Sequence, residues 1–282
     1  MVNIVAIVQA RMNSKRLPNK VLKHLPFYSS KSLLMNIVDR LKLIKMINKI
    51  VIATTNKIVD DPIEEYCLKN NILCFRGSEE NVLQRYYEAA KFNEADVVLR
   101  FTGDNPVIDT FLIEDALTKF INSSDIDYLR LKGIPIGMGV EIFSFKALEK
   151  NFQNSVSMYE KEHVTPYFYK TNPQDFKIIE VTKKYEVDIS NIRLTVDSRE
   201  DYNFMCILFD ELYSENNYFG ILEVLELKKK KPWIFELNSY VEQKKVCVTL
   251  DEEIEEAKRL LKKQDLNKAY DFIVKNYNGT RS

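Results

Sequence analysis

Short apolar runs rich in β-branched residues alternate with longer amphipathic stretches throughout the first two hundred residues. This alternation is typical of strands joined by helical crossovers in a parallel sheet. We predict strands at 3–8, 49–54, 72–75 and 96–101, and helices at 31–46, 60–70, 79–93 and 110–121. Helix-start signals at Asp61-Pro62 and at Asp109-Thr110 agree with these helices. The sequence therefore predicts an α/β fold.

The pattern becomes less regular after residue 122, and we expect the sheet to continue there with mixed strand directions. The predicted strands are 126–131, 139–145, 176–181 and 192–196, and the predicted helices are 156–169 and 199–213. From residue 215 the chain is rich in Lys and Glu, and its end reads as two helices that divide near Gln264-Asp265. We therefore expect a main domain over residues 1–213 and a helical C-terminal extension over residues 214–282, available for packing or oligomerisation.

The charge balance excludes a general attraction to polyanions. The 282 residues include 41 Lys and Arg and 41 Asp and Glu, so no global field favours nucleic acid or an anionic membrane. The N-terminus lacks the features of a signal peptide, and no apolar run approaches the roughly 18–20 residues that span a bilayer. We expect a cytoplasmic protein with no membrane insertion and no nucleic-acid partner. The four cysteines are widely spaced, which favours free thiols.

The first predicted strand is followed by a strongly cationic loop, "VQARMNSKRLPNKVL", with Arg11, Lys15, Arg16 and Lys20. Ligands of open α/β sheets bind beyond the carboxyl ends of the strands, which is where this loop lies. The glycine motifs of dinucleotide folds and P-loop enzymes are missing from it. Its cations could instead hold a polyphosphate by charge and bidentate hydrogen bonds. The alternative is an ordinary exposed basic loop.

Two carboxylates close other predicted strands. Asp104 follows a strand in "RFTGDNPVID", and Asp197 follows another in "RLTVDSRED". Carboxylates that face a cationic loop match the needs of a Mg²⁺-nucleoside triphosphate, because hard oxygen ligands suit the metal. The alternatives are an Asx-turn for Asp104 and a helix N-cap for Asp197, with Glu200 completing a capping pair.

Five segments together resemble the SpsF-type nucleotidyltransferases of spore-coat polysaccharide synthesis. They are "VQARMNSKRLPNKVL", "TGDNPVID", "GVEIFS", "EHVTPYFY" and "RLTVDSREDY", and the likeness runs in order over residues 3 to 205. The chain is also similar, more distantly, to the cytidylyltransferases of 3-deoxy-manno-octulosonate and sialic acids. The resemblance implies a Rossmann-like nucleotide-diphospho-sugar transferase fold with a mostly parallel mixed sheet. It also implies nucleotidyl transfer from CTP, or another NTP, to a sugar acid or sugar phosphate, with release of pyrophosphate, in surface glycan biosynthesis.

The resemblance also assigns roles to individual positions. Arg11, Lys20, Asp104 and Asp197 would be catalytic, and the two aspartates would hold Mg²⁺, with Mn²⁺ as the alternative ion. The nucleotide would contact Ala10, Arg11, Arg16, Lys20, Thr54, Ser78 and Asp104. Asn19 stands where such sequences usually have glycine, and asparagine tolerates the left-handed conformation that glycine supplies.

The sugar acceptor would contact two further residues. Glu141 could accept hydrogen bonds from sugar hydroxyls, and His163 could donate one to a carboxylate or phosphate. The alternatives are an outward-facing strand residue for Glu141 and an ordinary helix-surface residue for His163. Glu162-His163 lies in no H-E-x-x-H pattern, which disfavours zinc.

Two other function classes fit parts of the sequence. Metal-dependent glycosyltransferases carry an Asp-x-Asp motif, and Asp125 and Asp127 form one, but that function leaves the cationic loop without a purpose. The second class is a non-catalytic nucleotide- or sugar-binding regulator, which the presence of all four predicted catalytic residues disfavours. Many enzymes of the resembled kind are dimers, so a homodimer is one expectation, and the sequence leaves the oligomeric state open.

Overall fold

The computed structural model of the chain describes residues 2–123, 125–213, 218–243, 247 and 249–277. Its seven-stranded sheet has the order β3-β2-β1-β4-β6-β5-β7. The strands are β1 (Ile4–Gln9), β2 (Lys49–Thr55), β3 (Leu73–Gly77), β4 (Val97–Thr102), β5 (Tyr128–Lys132), β6 (Glu141–Ser144) and β7 (Ile178–Thr182). Strand β6 runs antiparallel to both of its neighbours, while the other described pairs are parallel. The expected mostly parallel mixed sheet is therefore confirmed.

The helices that connect and cover the strands begin and end as follows. They are α1 (Leu33–Lys42), α2 (Asp61–Lys69), α3 (Val82–Phe92), α4 (Thr110–Asn122), α5 (Phe145–Asn154), α6 (Met158–His163), α7 (Arg199–Leu212), α8 (Ile221–Lys230), α9 (Leu250–Lys263) and α10 (Asn267–Asn276). Among the described residues, no helix has the length and apolar character required to cross a membrane.

Both faces of the sheet are covered because the central strands are apolar on both sides. In β1, Ile4, Ala6 and Val8 belong to one buried cluster, and Val5 and Ile7 belong to the other. The first cluster includes residues of α1, α4, α7 and α8, and the second includes residues of α3 and α5. Continuous apolar runs of this kind are expected for strands that lie between two helical layers.

The structure differs from the predicted elements in three places. Helix α5 (Phe145–Asn154) has no counterpart among the predicted helices. The segment 192–196 is not a strand: it forms a single bridge between Arg193 and Ile136, and the Val196 amide donates to the Asp104 carbonyl over 2.8 Å. The predicted helix 156–169 ends at His163, because Val164 adopts φ 71° and ψ −53° in a tight turn. The chain continues as a π-helical turn, Tyr167–Thr171.

The chain divides into two compact units, Met1–Val241 and Glu242–Ser282. The first unit includes α8 and a 3₁₀ turn, Pro232–Glu236, whose Ile234 and Phe235 are buried in the main core. It therefore extends past residue 213, where the sequence analysis placed the end of the main domain. In the second unit, α9 and α10 form the expected pair of helices, which a left-handed Asp265 separates.

Candidate functional site

Three separate chain segments meet at the carboxyl edge of the central strands. Gly103, just after β4, donates its amide to the Gln9 carbonyl at the end of β1 over 2.7 Å. A Cβ atom at position 103 would lie only 2.9 Å from that same oxygen. The third segment, 192–197, is tied to the carbonyl of Asp104 through Val196. Backbone contacts therefore bring the ends of β1 and β4 and the approach to α7 together.

The cationic loop after β1 is anchored at both ends. The Met12 amide donates to Asp60 Oδ1 over 2.7 Å, and the Thr55 hydroxyl donates to the other oxygen of this buried carboxylate. At the far end the Asn19 amide donates to the Met12 carbonyl over 3.0 Å. Asn19 adopts φ 58° and ψ 19°, the left-handed conformation expected in place of glycine. The anchors hold the loop so that Lys20 turns inward.

Lys20 lies between the two carboxylates that the sequence analysis singled out. Its Nζ is 3.0 Å from Asp104 Oδ2 and 2.9 Å from Asp197 Oδ1. Burial disfavours the charged form of Lys20, but the two carboxylates outweigh this effect, and the pKa of Lys20 is raised above its ordinary value. The site is thus a cation shared by two carboxylates at the edge of the sheet.

Asp197 also forms ion pairs with two arginines. Arg16 Nη2 lies 3.2 Å and Arg193 Nη2 lies 2.8 Å from Asp197 Oδ2. Burial alone would raise the pKa of this carboxyl, but Lys20, Arg16 and Arg193 hold it below its ordinary value. Asp197 therefore stays ionised to a lower pH in the folded protein than an ordinary aspartate does.

The alternative role of Asp197 as a helix N-cap does not hold. Ser198 caps α7, and its partner in the capping box is Asp201, not Glu200. Asp104 receives a hydrogen bond from the Thr102 hydroxyl in addition to its contact with Lys20. Asp109 caps α4 through the Leu112 amide, as expected. Neither predicted metal ligand is needed to begin a helix.

A second layer of residues that the sequence analysis missed holds Asp197 in place. Arg193 Nε donates to Asp201 Oδ1 over 2.9 Å, and Asp201 Oδ2 accepts the Asp197 amide over 3.0 Å. Asn238 donates to Asp201 Oδ1 and to the Arg193 carbonyl. The Ser198-x-x-Asp201 spacing could have indicated the capping box. Asn238 carried no sequence signal, because it lies 37 positions beyond Asp201.

The remaining predicted nucleotide contacts lie around this centre in different environments. Arg11 is exposed and forms no ion pair with the residues that the structure describes. Ala10 and Thr54 are buried, and the Thr54 hydroxyl has no hydrogen-bond partner within the described part of the chain. Ser78 lines a cleft of about 470 Å³ beyond β2 and β3, together with Asn56, Arg76, Gly77 and Gln84.

Glu141 and His163, the two residues predicted to contact the sugar acceptor, contact residues outside the cluster around Lys20. Glu141 is half-buried and accepts hydrogen bonds from Arg100, Thr165 and Tyr128, so it is not a plain outward-facing strand residue. His163 is the last residue of α6, and its ring lies 5.0 Å from that of Tyr159. The structure thus places Glu141 inside a polar network at the start of β6.

The Asp-x-Asp motif lies at the other end of the sheet. Asp125 Oδ2 is 3.3 Å from Lys177 Nζ, and Asp127 Oδ2 accepts the Lys177 amide over 2.9 Å. Both residues precede Tyr128, the first residue of β5, whereas Asp104 follows the last residue of the parallel strand β4. The motif pairs with Lys177 and takes no part in the cluster around Lys20.

The donor set at the carboxyl edge fits a hard divalent cation. Proteins hold Mg²⁺ through one or two carboxylates, with substrate phosphates and water completing the coordination. Asp104 and Asp197 direct two oxygens at one point, which the Lys20 ammonium occupies. No cluster of three or more Asp, Glu, His or Cys side chains that could hold a metal occurs in the described ranges. Substrate phosphates and water would therefore supply the remaining ligands.

Comparison with known proteins gives a consistent result. The cytidylyltransferase family model matches residues 5–272. An uncharacterised protein of Methanocaldococcus jannaschii is 39% identical over 243 residues, which are 86% of this chain and 96% of that protein. The spore coat polysaccharide biosynthesis protein SpsF of Bacillus subtilis is 31% identical over 243 residues, 82% of this chain and 95% of SpsF. The 3-deoxy-manno-octulosonate cytidylyltransferase of Trichlorobacter lovleyi is 26% identical over 46% of this chain and 49% of that enzyme.

Comparison with solved structures gives the same result as comparison with these relatives. A cytidylyltransferase from Leptospira borgpetersenii superposes with a TM-score of 0.75 at 31% identity, covering 88% of this chain and 100% of that one. CMP:2-keto-3-deoxy-manno-octonic acid synthetase complexed with CTP gives a TM-score of 0.56 at 15% identity, covering 74% and 99%. The second likeness shows a shared fold. The Rossmann-like nucleotidyltransferase fold expected from the resemblance is confirmed.

Proposed function

The chain belongs to the cytidylyltransferase family, and from this premise we propose that it transfers CMP from CTP to a sugar acid or sugar phosphate and releases pyrophosphate. The observation that carries the proposal is the position of Lys20, within 3.0 Å of both Asp104 and Asp197 at the carboxyl edge of the sheet. A triphosphate needs cations, and its metal needs carboxylates. Both are present at this point.

Binding of the triphosphate would redistribute the charges of this cluster. Lys20 would turn from the two carboxylates toward the phosphates, and Arg16 would leave Asp197 in the same direction. Arg193 would remain on Asp197, because Asp201 and Asn238 hold the surrounding segment. The exposed Arg11 could approach the phosphates directly. These cations would stabilise the charge that builds on the departing pyrophosphate.

The vacated oxygens of Asp104 and Asp197 would hold Mg²⁺. When bound, this ion would supply charge neutralisation at the α-phosphate and fix its orientation. The chain's own contribution is mainly positioning: the acceptor oxygen attacks the α-phosphorus in line with the leaving pyrophosphate, and no covalent bond to the enzyme is required. We accordingly assign no nucleophilic Ser or Cys.

The base and the acceptor would lie on either side of this centre. The cleft that Ser78 lines would take the cytidine part of CTP, and the buried residues Thr54 and Ala10 would lie near the base and ribose. The polar network of Glu141, Thr165 and Tyr128 would border the acceptor, with His163 close by in sequence. The name of the SpsF relative supports a role in surface polysaccharide biosynthesis, and the names of the 3-deoxy-manno-octulosonate relatives support a sugar acid as acceptor. Such synthesis would take place in the cytoplasm.

The rival glycosyltransferase function has less support. Its metal motif, Asp125 and Asp127, pairs with Lys177 at the amino end of β5. It would also leave the shared cation Lys20 unexplained. A regulator that lacks the chemistry would not need two carboxylates at the cationic loop.

Thermal-shift binding of CTP, GTP, UTP and ATP, with and without Mg²⁺, tests the proposal. A ligand bound only by the folded state at about 100 times its dissociation constant stabilises it by roughly 2.7 kcal/mol. We expect a Mg²⁺-dependent shift with CTP, and none with UDP- or GDP-sugars. Asp104→Asn should lose the Mg²⁺ dependence, while Asp125→Asn, an exposed carboxylate at the other end of the sheet, should keep it. A shift with UDP- or GDP-sugars and with no triphosphate would contradict the proposal.

A further inference from the structure

Asn238 is a buried asparagine that joins the end of the main unit to the cluster around Lys20. It follows the 3₁₀ turn Pro232–Glu236, and its side chain is 0% exposed. Its Nδ2 donates to the Arg193 carbonyl over 3.1 Å and to Asp201 Oδ1 over 3.0 Å. Because a buried amide is costly to leave without partners, these two hydrogen bonds hold the segment 232–238 against the approach to α7.

Asp201 accepts hydrogen bonds from several directions at once. Its Oδ1 accepts Arg193 Nε over 2.9 Å in addition to Asn238 Nδ2. Its Oδ2 accepts the amides of Asp197 and Ser198 over 3.0 and 3.1 Å. A buried carboxylate with this many donors has little freedom to rotate. Asp201 therefore fixes both the backbone of Asp197 and the guanidinium group of Arg193.

The two oxygens of Asp197 differ in how firmly their partners are held. Asp197 Oδ2 accepts Arg193, whose side chain is 6% exposed and bound to Asp201, and Arg16, whose side chain is 43% exposed. Asp197 Oδ1 contacts Lys20, which it shares with Asp104. The fold thus holds one oxygen of Asp197 on a buried arginine and leaves the other for the partner that Asp104 shares.

The start of α7 does not require all of these contacts. The capping box of the helix uses Ser198 and Asp201, but neither Arg193 nor Asn238. A buried ion pair such as that of Arg193 and Asp201 can often be replaced by apolar side chains without loss of stability. Stability alone therefore gives a weak reason for this arrangement, whereas the orientation of Asp197 depends on every member of it.

We propose that Asn238 is a positioning residue for Asp197. Through Asp201 and Arg193 it keeps Asp197 Oδ1 directed at the point that Lys20 occupies, where the metal ion that accompanies CTP would bind. This inference rests on the proposed function and deepens it, because it makes a residue beyond the predicted catalytic domain 1–213 part of the same site. Residues that orient metal ligands typically contribute about 10–100-fold to metal affinity or activity.

Calorimetric titration of CTP into the full chain, once with Mg²⁺ and once with EDTA, tests the inference. With Mg²⁺, Asn238→Leu should bind CTP about tenfold more weakly than the wild type does. With EDTA the two proteins should bind CTP with the same affinity, because the cations of the loop after β1 would contact the phosphates without Asp197. A merely structural loss would weaken binding equally under both conditions.

Asn36→Leu is the matched control for the loss of a buried amide. Asn36 is also 0% exposed, and its Nδ2 donates to the carbonyls of Leu25 and Ser32. Both leucine variants should lower the melting temperature by about 2–6 °C, but Asn36→Leu should keep the Mg²⁺ dependence of the wild type. Asn238→Ser, which keeps one donor in a smaller side chain, should show a smaller loss with Mg²⁺ than Asn238→Leu. It takes the place of that variant if the leucine prevents folding.

The outcomes separate this inference from the proposed function. If CTP binding by Asn238→Leu, or by Asn238→Ser in its place, had the same Mg²⁺ dependence as binding by the wild type, the inference would be overturned while the proposed function stood. An equal loss of Mg²⁺ dependence in Asn36→Leu would have the same consequence. A wild type that bound CTP under neither condition would overturn both.

Discussion

Lys20 Nζ lies 2.9 Å from Asp197 Oδ1, although 177 positions separate the two residues. The contact joins the loop after the first strand to the approach to α7. Asp104, after β4, shares the same ammonium group. The ammonium group of Lys20 offsets the repulsion between the two carboxylates. In the proposed reaction, the metal ion of CTP takes over this role, and Lys20 contacts the phosphates instead.

Replacement of Lys20 by methionine should affect both stability and nucleotide binding. Two partly buried carboxylates would lose their shared cation, so we expect the free energy of unfolding to fall by about 1–3 kcal/mol. CTP affinity should fall about tenfold or more, equivalent to ~1.4 kcal/mol. Denaturant unfolding and CTP titration measure the two effects. Lys15→Met, an exposed position of the same loop, should change neither.

The free energy of unfolding at low pH should depend on Asp197. Its pKa is lowered in the folded protein, so its ionised form stabilises the fold above the ordinary aspartate value, about 3.9. This stabilisation is lost as the pH falls through the lower, folded-state pKa. Below about pH 4 the free energy of unfolding of the wild type should therefore fall more steeply than that of Asp197→Asn. Urea unfolding at a series of pH values measures both slopes, and parallel curves would refute this prediction.

Gly103 should not tolerate a side chain. A Cβ atom there would lie 2.9 Å from the Gln9 carbonyl and 3.1 Å from Ala10 Cβ. Gly103→Ala should therefore push β4 away from β1 and cost about 1–3 kcal/mol of stability. Gly139→Ala is the control, because its nearest neighbour would be Ile134 Cδ1 at 3.9 Å. Thermal unfolding should separate the two variants, and equal melting temperatures would show that the strand ends can move apart freely.

Asn19 should accept glycine but not valine. Its left-handed backbone, φ 58°, costs a residue with a Cβ roughly 1–2 kcal/mol, and a branched side chain has no polar group to offset this. Asn19→Val should therefore destabilise the protein and weaken CTP binding, since Lys20 is the next residue. Asn19→Gly should leave both unchanged within about 0.5 kcal/mol. If the Asn19→Val variant bound CTP as tightly as the Asn19→Gly variant, the loop conformation would have no part in binding.

The sequence predicted most of the main sheet because its strands are apolar on both faces. Strands β1 to β4 lie within two residues of the predicted bounds, and the helices between them shorten by up to four residues at one end. The resemblance to SpsF-type enzymes indicated Asp104 and Asp197, and the structure brings both to Lys20. Their catalytic and metal-binding roles remain predictions.

Other features depended on long-range contacts that no local pattern encodes. The segment 192–196 has the β-branched composition of a strand, but it meets its neighbours through a few separate hydrogen bonds. Helix α6 stops because Val164 takes a positive φ, and the buried Asn151 amide, bonded to the Val164 carbonyl, holds that turn. The helix-start signal lay at Asp61-Pro62, whereas the carboxylate of the preceding Asp60 accepts the Met12 amide, 48 positions away.

Pyrophosphate release from CTP tests the central claim most directly. The assay would contain the protein, Mg²⁺, CTP and, one at a time, 3-deoxy-manno-octulosonate, sialic acid and sugar 1-phosphates. We predict acceptor-dependent release of pyrophosphate by the wild type and by Asp125→Asn, with little or none from Asp104→Asn. Release of a nucleotide from UDP- or GDP-sugars, with no pyrophosphate from CTP and any of these acceptors, would contradict the claim. Unchanged release by Asp104→Asn would remove that carboxylate from the mechanism.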